Sequence, residues 1–390
     1  MENKMYARDL YDKINYNIIF KFLSFTWILS IPFKNAIFQA SVVLIPIFFF
    51  YHLFKTKNFN ILAENLKETK YLFIGFCFII FAMIFSNVIN PEYLDKKSWH
   101  TIFSFVYKYG LIFIILAYFY KLEFFRKSDI LIVVFASFSL LLLAGIYQFI
   151  QNPTIVTGEG VTGSLNNRNA FGLMMGMGFV LTICILKYKR NIALLLIILF
   201  SFFMIFSFSR SSWIASICSF IVLLLLNYKR IKFSHIIYFL FFICFLFVLY
   251  FSFDSFQNRF EQLLHGNSSD RTIIWLYTIE FIKEKLFFGY GLNSFKNLPN
   301  DFLHKFPDPH NSVLEILLYT GLFGLISCIF TILVIFKKIY ESKNFILFPI
   351  ATYFIIVTQF DFGAYGSKEV LSFLTIFVFF VYADDFRKIK

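Results

Sequence analysis

"YLFIGFCFIIFAMIFSNVI", residues 71–89, runs for nineteen positions without a charged side chain. Lys67 and Lys70 stand before it, and Lys96 and Lys97 follow it. As a helix rising 1.5 Å per residue, such a run spans about 30 Å, the thickness of a bilayer's hydrocarbon core. Helix is the required form, because hydrocarbon offers no partner to an unpaired N–H or C=O group. This segment therefore reads as a membrane span with polar ground on both sides.

Working outward, a ruler of about 20 predominantly apolar residues marks twelve segments: 17–33, 36–54, 71–89, 102–120, 129–150, 169–187, 191–208, 211–228, 234–253, 311–336, 345–361 and 367–383. The first and the eleventh carry the weakest signal, and no fixed-period repeat is visible. Composition agrees: 59% of the 390 residues are hydrophobic, 15% are charged, and mean hydropathy is +0.72. A soluble chain of this length would suggest two or three domains, but no soluble core needs so much apolar surface. The expected fold is an all-α polytopic membrane protein, a single integral membrane domain over 1–390 with about 12 transmembrane helices. The 61 phenylalanines fit AT-rich coding and carry no functional reading.

The net charge of +13 does not mark a nucleic-acid binder, because the basic residues fall in short clusters between apolar runs. The inner connections hold 22 Lys and Arg residues and the short outer ones only 6, Lys34, Lys96, Lys97, Arg168, Arg210 and Lys368. Basic connections face the cytoplasm, so twelve spans place both termini there. The five cysteines, Cys77, Cys184, Cys218, Cys244 and Cys328, lie in apolar runs without CxxC spacing, which supports neither a zinc site nor a disulfide framework. The polar N-terminus "MENKMYARDLYDKINYN" precedes no small-residue cleavage site, so no removable signal peptide is read. One long connection, 254–309, falls outside. Its "DRTIIWLYTIEFIKEKL" reads as an amphipathic helix with Ile273, Trp275, Leu276, Ile279 and Ile282 as the apolar stripe and Asp270 as N-cap. "FFGYGLNSF" turns the chain after it.

Polar residues on this outer face carry the chemistry. Arg210, in "FSFSRSSWIAS", sits between two apolar runs with almost no connection. It is either a snorkelling anchor or an anion site, since its planar fork of donors matches phosphate oxygens. Arg271 opens the amphipathic helix, where a cation opposes the macrodipole unless a bound anion supplies a reason for it. His310 and Asn311 begin the tenth span. They are either polar caps or, for the imidazole, a group able to take a proton from a hydroxyl. Gly321 and Gly324 permit close helix approach. The glycine-rich "GEGVTGSLNNRNAFGLMMG" presents Asn166, Asn167, Arg168 and Asn169, with Asn169 as a candidate N-cap, and Lys108 lies within the apolar fourth span. HExxH, GxxxxGK[ST], GxSxG and an acidic ligand cluster are all lacking. Glu315 is the main carboxylate of the tenth span.

Four stretches together resemble the bacterial O-antigen ligase and O-antigen polymerase superfamily: "HNSVLEILLYTGLFG", in which His310 and Asn311 are followed by nine residues and GxxG; "SRSSWIA"; "DRTIIW" with "LFFGYGLNSF"; and "GSLNNRNAFG". They occur in family order over 163–324, the region of catalytic resemblance. The resemblance implies a metal-independent, inverting glycosyltransferase that uses a polyprenyl diphosphate-linked glycan as donor and works on the periplasmic face without a cofactor. It implies that Arg210 and Arg271 bind the diphosphate and that His310 activates the acceptor hydroxyl. Asn311, Asn167, Arg168, Asn169 and Lys108 are expected to line the substrate site. The implied acceptor is the lipid A-core of a ligase or the second lipid-linked glycan of a polymerase. Protein hydroxyls are a further acceptor within the superfamily, and membrane lipids are implied partners in every case. A flippase without chemistry would need polar residues through the full membrane depth, whereas these crowd at one face.

Overall fold

A computed structural model describes residues 2–33, 35–185, 190–230, 244, 247–248, 250–265 and 270–386. The predicted ninth span, 234–253, lies largely outside them. The described helices are α1 (Glu2–Ser30), α2 (Asn35–Thr56), α3 (Phe59–Glu68), α4 (Lys70–Ile89), α5 (Lys96–Phe105), α6 (Ile112–Lys121), α7 (Lys127–Gln151), α8 (Arg168–Ile185), α9 (Arg190–Phe206), α10 (Arg210–Leu226), α11 (Asp254–Leu264), α12 (Arg271–Glu284), α13 (Ser312–Glu341), α14 (Leu347–Val357) and α15 (Lys368–Phe386). No strand occurs among the described residues.

Among the described residues, five segments are long and apolar enough to cross a membrane: Ala36–Thr56, Lys70–Ile89, Lys96–Lys121, Lys127–Gln151 and Ser312–Glu341. Shorter apolar helices cover Arg168–Cys184, Arg190–Phe206, Arg210–Leu226 and Leu347–Val357. Many of these helices are apolar on both sides. On α7, Phe138 and Leu141 are fully buried while Ile132, Tyr147 and Ile150 are about two-thirds exposed, as expected of a helix facing lipid rather than water. The chain is thus an all-α, polytopic membrane protein.

Three differences from the expected segments bear on function. The fourth span is not one regular helix: Val106–Leu111 forms a π-turn between α5 and α6. The eleventh shortens from 345–361 to Leu347–Val357, so residues 358–367 become a connection. In addition, α12 buries Ile274, Thr278 and Ile282, while Ile273, Leu276 and Ile279 are exposed. Of the expected stripe, only Ile282 is buried and Trp275 is half-buried. Spacing alone missed the buried face because α12 is apolar on both sides.

Helix α13 is continuous in length but broken at Gly321, whose φ of 65° and ψ of −164° are non-helical. The turn following α12 fills the break. Leu322 and Phe323 N–H donate to the carbonyls of Leu286 and Phe287 at 2.9 and 3.2 Å. Tyr290 and Gly291 N–H donate to those of Leu318 and Tyr319 at 2.7 and 3.0 Å. A Cβ on Gly321 would stand 2.3 Å from the carbonyl carbon and oxygen of Phe287. The "GLFG" and "FFGYG" stretches therefore pair backbone to backbone, and the freed peptide groups stay satisfied. The role expected for Gly321, helix packing alone, gives way to this one. The pairing is part of a second apolar core, formed by Ile274, Tyr290, Leu292, Phe295, Leu298, Leu303, Leu318 and Tyr319 with Ile79 and Met83 of α4.

Candidate functional site

The connection 358–367 is sewn to the first turn of α13. Ser312 donates to Thr358 O through its backbone N–H at 3.0 Å and through its hydroxyl at 2.9 Å. Its hydroxyl also lies 3.0 Å from Phe362 O. Asn311 Oδ1 accepts from Leu314 N–H at 3.0 Å as the N-cap, and its Nδ2 donates to Gln359 O at 3.0 Å. The buried Glu315 carboxylate accepts from Ala364 N–H. Asn311, expected to touch substrate, thus has both ends of its amide engaged within the protein. Glu315, the main carboxylate of the tenth span, thus anchors this connection.

What this stitching holds in place is Asp361, whose side chain is 2% exposed. Arg271, the first residue of α12, forms an ion pair with Asp361. Ser211, in the first turn of α10, donates its hydroxyl to the same carboxylate, and Asn169 of α8 donates Nδ2–H to Oδ1 at 2.9 Å. Three helices that are distant in sequence therefore meet on one carboxylate. Burial pushes the Asp361 carboxyl above the usual range, opposed by Arg271, the Ser211 hydroxyl, His310 and Arg210. The last two are near enough for their charges to act on it. Asp361 was not among the residues singled out from sequence. It falls at the end of the expected eleventh span, where a lone aspartate looks like a boundary marker.

Arg210 opens α10 and is buried to 8% exposure. The turn before it is tight, with Phe208 at φ 56°. Ser209 lies 3.1 Å from the Ser211 hydroxyl and 2.9 Å from that of Ser212. Gly172 of α8 faces this turn closely: a Cβ there would meet Ser207 Oγ at 2.4 Å and Ser209 Cβ at 2.5 Å. A side chain at position 172 would displace the Ser207–Ser209 turn that leads into Arg210.

His310 has φ 54° and is held from two sides. Trp275, one turn after Arg271 on α12, donates Nε1–H to Pro309 O at 3.0 Å. Asp308 Oδ1 accepts from the His310 backbone N–H at 2.8 Å and lies 3.2 Å from Nδ1. A carboxylate only accepts, so the Nδ1 proton belongs in that contact, leaving the Nε2 lone pair for another donor. The imidazole is 26% exposed, open enough to meet a ligand.

The remaining expected residues divide. Asn167 Oδ1 caps α8, accepting from Asn169 N–H at 2.9 Å and Ala170 N–H at 3.1 Å; this is the cap role weighed for Asn169. Arg168 donates to Glu159 O at 3.5 Å and lines a pocket beside Arg259 of α11. Lys108 is buried within the π-turn, 5.4 Å from the Tyr107 ring centroid, and none of its described contacts reaches the Asp361 group. Among the described residues, no cluster of three His, Cys, Asp or Glu side chains could hold a metal ion.

Residues 193–329, about a third of the chain, match the family model described as O-antigen ligase. The matched stretch runs from α9 into α13 and includes Arg210, Arg259, Arg271 and His310; Asn169 and Asp361 flank it. The match supports a general place in the ligase and polymerase superfamily, and with it an enzymatic role of the ligase or glycosyltransferase kind. No curated protein matches the chain.

Proposed function

We propose that this protein transfers a glycan from a polyprenyl diphosphate carrier to a hydroxyl of the lipid A-core, on the periplasmic face of a bacterial inner membrane. The observation that carries this reading is the convergence of Arg210, Arg271 and the Asp308–His310 pair around Asp361. In this mechanism the acceptor O–H gives its proton to His310 Nε2 as its oxygen bonds to the anomeric carbon. The bond from that carbon to the diphosphate oxygen breaks, and its electron pair stays on the diphosphate. The charge growing there is met by Arg210 and Arg271, which stabilise the transition state more than the ground state. Attack opposite the leaving group inverts the anomeric carbon, and no metal or cofactor takes part. Asp361 keeps Arg271 in position at the start of α12, where a cation is otherwise disfavoured. Twelve spans with both termini cytoplasmic would put all these groups outside, and the carrier's tail would enter between helices.

Arg210→Ala should lower glycan transfer in membranes by about a hundredfold or more, as expected when a preorganised charge is removed from a developing anion. Unchanged transfer would sink the diphosphate role. The acceptor is tested by deleting the gene and resolving surface polysaccharide on a gel. Loss of all lipid A-linked glycan, with polymerised carrier-linked glycan accumulating, is the expected result. A single repeat left on the core would instead identify a polymerase.

A further inference from the structure

Beyond Arg210 and Arg271, the site holds a charge that this mechanism does not use. Arg259 lies on α11, which packs on the start of α10 through Phe256 and Trp213, ring centroids 5.5 Å apart. Its Nε–H donates to Phe208 O at 3.4 Å, over the turn leading into Arg210, and its guanidinium also donates to Gln262 Oε1 at 2.8 Å. Arg259 and Arg168 line one pocket of about 210 Å³ with Asn258, Gln262, Ser255 and Phe208. That volume is below that of a drug-sized site and suits a small polar group. The neighbouring pocket, lined by Asn258, Glu261, Gln262 and His265, presents a carboxylate and disfavours an anion.

Contacts put the charges in order. Pro309, next to His310, accepts from Trp275 of α12, whose first residue Arg271 pairs with Asp361. Ser211, next to Arg210, bonds the same carboxylate, and Arg259 bonds the Phe208 carbonyl two residues before Arg210. The track therefore runs from His310, past Arg271 and Arg210, to the Arg168–Arg259 pocket. Arg259 is depressed to about 10 by burial, then by Arg210, Arg168 and Arg271, with Asp361 opposing. Four guanidinium groups against the Asp361 and Asp308 carboxylates leave the track net positive. A glycosyl diphosphate diester carries two negative charges and the departing diphosphate gains a third on full ionisation, so a net-positive track favours the product state over the substrate.

We propose that the Arg168–Arg259 pocket seats the lipid-side phosphate of the carrier diphosphate, while Arg210 and Arg271 hold the sugar-side phosphate that leaves. The assignment rests on the transfer reading above and names which phosphate goes where. A pocket for an acidic sugar would use the same chemistry, so the test uses carriers without glycan. Equilibrium binding of polyprenyl diphosphate and polyprenyl monophosphate of equal chain length is measured on the purified full-length protein. The wild type is expected to favour the diphosphate. Arg259→Gln and, independently, Arg168→Gln should each cost about tenfold in affinity for either carrier, a charge-assisted contact, because both carriers hold the lipid-side phosphate. Arg210→Gln should weaken the diphosphate and leave the monophosphate, which lacks the sugar-side phosphate, unchanged. The proposal fails if the wild type does not distinguish the two carriers, if Arg259→Gln and Arg168→Gln spare the monophosphate, or if Arg210→Gln weakens both carriers equally. Failure of Arg210→Gln to weaken the diphosphate would overturn the transfer reading itself, a separate result.

Discussion

At the scale of single residues, Asp361 makes the site sensitive to pH. Its ionised form holds Arg271, and burial raises its carboxyl above the usual range. Transfer should therefore fall as pH drops through a point higher than an ordinary aspartate's, which is about 4. Stability has the opposite sign. With the folded value raised, the folded chain binds more protons than the unfolded chain between the two values. Stability then declines as pH rises through that interval. Asp361→Asn should lower transfer at least about tenfold and abolish both dependences, read from a pH–rate profile beside melting curves at matched pH. A variant that kept the acid limb would assign it elsewhere. The sequence pointed to Arg210, Arg271 and His310 because a charge or imidazole beside an apolar run is conspicuous. It did not point to Asp361 or Asp308, because carboxylates in connections are ordinary until their neighbours are known.

At the scale of elements, the break in α13 decides how α12 reaches the site. The turn 286–291 pairs with 318–323, so α12 and the start of α13 are fixed at one end by backbone bonds. At the other they are joined through Trp275 and Pro309. Arg271 and His310 are in this way held on one rigid unit. Gly321→Ala should cost about 2 kcal/mol or more, from the left-handed φ and the contact with Phe287. The variant should melt at lower temperature in detergent than Ile326→Ala, a change at an exposed position of the same helix. Equal melting temperatures for the two would refute the pairing. GxxG was legible as a pattern, but its partner lies some thirty residues earlier, so local spacing suggested only helix packing.

At the scale of the whole molecule, the proposed orientation rests on alternating basic connections, and the proposed chemistry requires its polar residues on one side. A membrane-impermeant thiol reagent applied to intact cells with a permeabilised outer membrane should label Lys96→Cys and leave Lys67→Cys unlabelled, each measured against the parent chain. Labelling of both or of neither would break the alternation. The helical, membrane-spanning class was readable directly, since long uncharged runs leave the backbone no alternative in hydrocarbon. Helix ends were less so: α14 stops at Val357, short of the expected 361, because the first turn of α13 captures the carbonyls of 358 and 359.

Length of apolar run and placement of charge act locally, and they were enough for the class of fold, most of the helices and the three conspicuous polar residues. The carboxylate that gathers them, the dyad behind the histidine, the fourth arginine and the meeting of two glycine motifs all depend on contacts between segments far apart in the chain. Those contacts are made by packing and hydrogen bonding in three dimensions, and linear spacing carries no record of them.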